Sequence, residues 1–168
     1  MHHDHLAAVD SAFWARALMD DRMFCGGFHA GGGGDRIKVQ FLNPTGSGKY
    51  VYIAYLSCAI GGSPTSTPIT RYDTPITTLL TTVSNMNLGA AAPSMELRSM
   101  ISSTLLLGTH ILRLRSTTSA SFTPIMPPDF APAPIRLTPG MGIMIEHESS
   151  LTLASGTVYW AETPLVQA

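Results

Sequence analysis

Residues 36–56 constrain the fold more than any other part of the chain. Arg36–Leu42 and the run Tyr50-Val51-Tyr52-Ile53-Ala54-Tyr55-Leu56 are rich in β-branched and aromatic residues, and Asn43-Pro44-Thr45-Gly46-Ser47-Gly48-Lys49 separates them. Apolar side chains recurring at period two with this composition fit a pleated strand. The intervening text looks like a phosphate-binding loop but lacks parts of one. Such a loop needs Gly-x4-Gly-Lys-Ser/Thr and a following helix whose N-terminus meets the anion. Here Asn43 stands at the first glycine, Tyr50 at the hydroxyl, and strand-like text follows Lys49. The segment Asn43, Pro44, Gly46, Gly48 is therefore expected to be a turn joining two strands, with Pro44 fixing φ and both glycines free to take positive φ. Strict alternation places Tyr50 and Tyr52 on one face and Tyr55 on the other.

The same reasoning extends along the chain. Further strands are expected at 68–72, 76–83, 94–101, 104–115, 120–125, 135–137, 142–147 and 158–163, with turn signals at Gly61-Gly62-Ser63-Pro64, at 85–89, at Pro139-Gly140 and at Ser155-Gly156. About eight to ten short strands at this density predict a mainly β fold, an antiparallel β-sandwich or jelly roll. Helical periodicity is confined to residues 5–24, where Leu6, Val9, Phe13, Ala17 and Leu18 recur at three- and four-residue spacing. Gly26-Gly27 and Gly31 to Gly34 are expected to end that amphipathic helix. The predicted organisation is an N-terminal tail and helix over 1–24, a glycine-rich linker over 25–35, and a sandwich domain over 36–168. Its proline-rich segment 124–134 is an extended connection or an arm, because prolines cannot donate ladder hydrogen bonds.

Only 12% of the 168 residues are charged and the net charge is -1, so the chain lacks a broad basic surface to neutralise phosphates and nucleic acid is not expected as a partner. Much of the non-apolar remainder is Ser and Thr. This low-charge surface suits either contact with neighbouring subunits or a Thr-rich β protein standing alone. Cys25 and Cys58 lack the spacing of a zinc site or a disulfide framework and read as buried thiols. No apolar stretch approaches a membrane span and the N-terminus lacks signal-peptide features, so a soluble protein without a membrane partner is expected.

Residues capable of chemistry are dispersed. His2, His3 and His5 with Asp4 could chelate a metal, but a flexible terminus often can, and no metal is expected. Glu146 and Glu148 flank His147 on alternate positions without a nearby nucleophile or oxyanion donor, and read as a solvent-facing or interface strand end. His29 and His110 are isolated in sequence. Non-enzymatic function, with no catalytic residue and no cofactor, is the expectation. Leu6, Val9, Phe13 and Leu18 form the candidate partner interface, because a short helix must bury its apolar stripe to persist. Trp160, which alternation places with Val158, is the candidate buried anchor.

The cues Asn43-Pro44-Thr45-Gly46-Ser47-Gly48, Leu137-Thr138-Pro139-Gly140-Met141-Gly142-Ile143 and Tyr159-Trp160-Ala161-Glu162-Thr163-Pro164 together resemble small β-sandwich structural proteins of tailed bacteriophages. The resemblance spans roughly residues 20–165 as an ordered set of short cues and does not include the leading helix. It implies a virion component made in the host cytoplasm. Capsid decoration (cement) that bridges major capsid subunits comes first, ahead of a head-spike, fibre-base or tail-associated piece. It also implies a homo-oligomer, a trimer favoured, and carries over no catalytic residue. A jelly-roll receptor- or glycan-binding module using Tyr50, Tyr52 and Tyr55 is the alternative from a different class.

Overall fold

The computed structural model describes residues 12–31, 35–61, 66–80, 83–85, 91–106, 108–115, 122–124, 135–146 and 153–165. A helix, α1, spans 12–19. The strands are β1 Met23–Gly31, β2 Arg36–Leu42, β3 Lys49–Gly61, β4 Ser66–Arg71, β5 Thr78–Leu80, β6 Val83–Asn85, β7 Glu96–Ser102, β8 Thr109–Arg115, β9 Phe122–Pro124, β10 Ile135–Leu137, β11 Gly142–Glu146 and β12 Leu153–Pro164. They form two antiparallel sheets. Sheet I runs β10-β3-β12-β1-β6, with β9 also on β3, and sheet II runs β5-β7-β2-β11-β4-β8. The fold is a β-sandwich, as the strand density predicts.

The core lies between the sheets. Sheet I contributes Phe24, Phe28, Val51, Ile53, Leu56, Val158 and Trp160; sheet II contributes Ile37, Val39, Phe41, Ile69, Leu97, Ile143 and Ile145. Phe28 and Phe41 meet edge to face across the two layers, ring centroids 6.0 Å apart. Because β2 belongs to sheet II and β3 to sheet I, the turn between them is a corner of the sandwich.

Three expectations change. The segment 25–35, expected as a glycine-rich linker, is strand over most of its length: β1 lies between β12 and β6 and pairs with β12 from Met23 to Gly31. Ladder bonds on both sides hold this glycine-bearing segment extended despite its low intrinsic strand preference. Ser155-Gly156, expected as a turn, lies within β12. A Cβ at Gly156 would lie 2.0 Å from the Ser57 carbonyl oxygen and 2.4 Å from Phe28 Cζ, so glycine is there for close approach and not for bending. Finally, α1 ends earlier than expected and by a different residue. Arg22 N donates to Ala17 O at 2.8 Å and Asp21 N to Leu18 O at 3.2 Å, with Asp21 at φ 55. This is a Schellman closure in which an aspartate takes the left-handed position usually held by glycine.

A β-bulge corrects the tyrosine pattern. Tyr159 pairs with Tyr55 but Trp160 pairs with Ile53, so Ala54 is an extra residue on β3. The core-facing set shifts from Val51 and Ile53 to Leu56 and Cys58, and Tyr55 joins Tyr50 and Tyr52 on the outer face of sheet I. There its ring lies 5.6 Å from that of Tyr159. The remainder of the predicted helix, residues 5–11, and the proline-rich residues 125–134 lie outside the described residues. Among the described residues no helix is long and apolar enough to cross a membrane.

Candidate functional site

The three sequence cues meet at one end of the sandwich. Pro44 accepts from Ser47 N at 3.1 Å, with Gly46 at φ 113 and Gly48 at φ 64 completing the β2–β3 corner. Pro44 opens this turn instead of sitting at its centre. Beside it runs the second corner, β10–β11, where Met141 N donates to Thr138 O at 3.0 Å and Gly140 has φ 83, the residue placement of a type II turn. Asn43 joins the corners. Its amide nitrogen donates to Lys49 O at 2.9 Å and to Leu137 O at 3.0 Å, its backbone N donates to Met141 O, and its carbonyl accepts from Gly140 N. The third cue enters through Glu162, and Leu165 just beyond it donates its N–H to Gly48 O at 2.9 Å.

Glu162 is 1% exposed and lies on the core-facing side of β12 with Trp160, which is fully buried. Its Oε1 accepts from Ser94 N at 2.7 Å, Met95 N at 2.9 Å and Trp160 Nε1 at 3.3 Å, and its Oε2 pairs with Lys49 Nζ at 2.9 Å. One carboxylate thus ties sheet I to the segment entering β7 of sheet II. Lys49, the residue a phosphate loop would use, is held by this carboxylate.

A second buried carboxylate secures the other end of β7. Glu146 on β11 faces Lys38 on β2, 3.5 Å away, and both are buried. Lys38 Nζ donates to Ser102 O at 2.9 Å, and Leu106 N donates to both Glu146 oxygens at 3.2 Å. Glu146 is therefore buried within the chain, where a solvent-facing or interface strand end was expected; His147 and Glu148 lie outside the described residues. The pair survives burial because each charge is matched and each also holds a backbone hydrogen bond, Lys38 to Ser102 O and Glu146 from Leu106 N. Between these positions Gln40 donates to Tyr72 O and Thr74 O and accepts from Ile76 N, so residues 72–76 cover the outer face of sheet II. Asp73 adds a contact to Gly142 N at 3.0 Å. Burial works against its ionisation, but hydrogen bonds from Arg71 and from the Gly142 amide, with the Arg71 charge, hold its carboxyl below the usual range.

The candidate partner interface divides differently from its sequence pattern. Phe13 turns onto Tyr52 with centroids 5.5 Å apart, and Ala17 is buried, so α1 lies against the outer face of sheet I. Leu18, expected on the same stripe, points away and is 47% exposed, beside Met19 at 81%. Leu6 and Val9 lie outside the described residues, as do His2, His3 and His5. His29 and His110 are exposed on β1 and β8, and among the described residues no three His, Cys, Asp or Glu side chains gather as a metal would require. Sequence reading missed Lys38, Gln40 and Glu162. Their shared signal is a polar residue inside an apolar strand run, which marks a buried partner when the opposite strand carries its complement.

No protein-family model, curated protein or solved structure matches the chain.

Proposed function

We propose that this protein is a non-enzymatic structural component of a tailed-bacteriophage virion, acting as a capsid decoration protein that bridges major capsid subunits. The observation that carries the reading is the placement of α1. It lies outside a finished sandwich, fixed through Phe13 and Ala17, and turns Leu18 and Met19 outward. Contiguous apolar side chains on the outside of a β domain suit repeated contact with neighbours, and symmetry multiplies many weak contacts of this kind. The meeting of the three resembling cues at one corner adds support, since each contributes a hydrogen bond to the same construction.

A head-spike, fibre-base or tail-associated role is the second placement within this class. The glycan-binding alternative gains one observation, the gathering of Tyr50, Tyr52, Tyr55 and Tyr159 on one face, but Phe13 already covers Tyr52. Immunogold labelling of particles from the lysate in which the chain is made separates these roles: head labelling is expected, and tail or spike labelling moves the protein there. Light scattering of the full chain gives a trimer if the reading holds. A stable monomer that labels no particle overturns it.

A further inference from the structure

We draw no further inference here: the strongest candidate, the aromatic patch on the outer face of sheet I where the rings of Tyr55 and Tyr159 meet, carries nothing, because nothing in the structure shows what covers it.

Discussion

Gly48 and Lys49 are neighbours with opposite reasons for being what they are. Gly48 has φ 64 with open space around a hypothetical Cβ, so Gly48→Ala meets backbone strain and no clash. Its expected cost is about 1 kcal/mol, read as a lower urea midpoint at unchanged slope. From sequence alone Lys49→Ala looks neutral. The structure reverses that: the substitution removes one partner from a buried carboxylate, and the loss should be about 1–2 kcal/mol, softened by the three donors that remain on Glu162. Nucleotide binding that depends on Lys49 would contradict this account. At Cys58 burial pushes the thiol up to about 12 from an ordinary 9.0. The folded chain then keeps a proton that the unfolded chain releases, so stability should fall as pH rises from about 9 towards 12. Cys58→Ala should flatten that window in pH-dependent denaturation. At neutral pH a thiol reagent should modify Cys25 well before Cys58.

At the scale of elements, β12 and α1 make contrasting predictions. β12 is gripped on both sides, and Gly156 is where β3 and Phe28 of β1 approach it most closely. Gly156→Ala should force the strands apart and cost about 3 kcal/mol or more, visible as a large drop in thermal midpoint. Among the described residues, α1 is held through Phe13, Ala17 and its closing turn. Removal of residues 1–19 keeps Arg22, whose carbonyl accepts from Glu162 N, and keeps all of β1. The truncated chain should retain its β circular dichroism and lose oligomerisation or particle binding. Complete loss of folding would place α1 in the core and defeat the attachment role.

Across the whole molecule, the two buried glutamates hold β7 at both ends, one from each sheet. Breaking one buried pair is expected to be worse than removing it entirely. Lys38→Met alone leaves Glu146 buried without its countercharge and should cost about 3–5 kcal/mol, whereas Lys38→Met with Glu146→Leu should recover much of that loss. A double-mutant cycle by chemical denaturation measures the coupling. Purely additive losses would mean that the two charges do not support each other.

The chain's own text determined its class and several elements outright. Apolar and β-branched alternation located β2 from Arg36 to Leu42 and β10 from Ile135 to Leu137, and the glycines of both corner turns were legible because positive φ leaves a mark in residue choice. Only the tertiary structure decided the rest. Glycine within β1 and at Gly156 reads as a break until partner strands supply the ladder and demand the missing Cβ. The bulge at Ala54 is invisible in β3 alone, since a register shift belongs to a pair of strands, and it carries Tyr55 to the other face. The burial of Glu146, read as a solvent-facing or interface strand end, and the role of Glu162, not singled out at all, were hidden for the same reason: their donors lie on segments distant in sequence, and local text cannot specify what folding brings within hydrogen-bond reach.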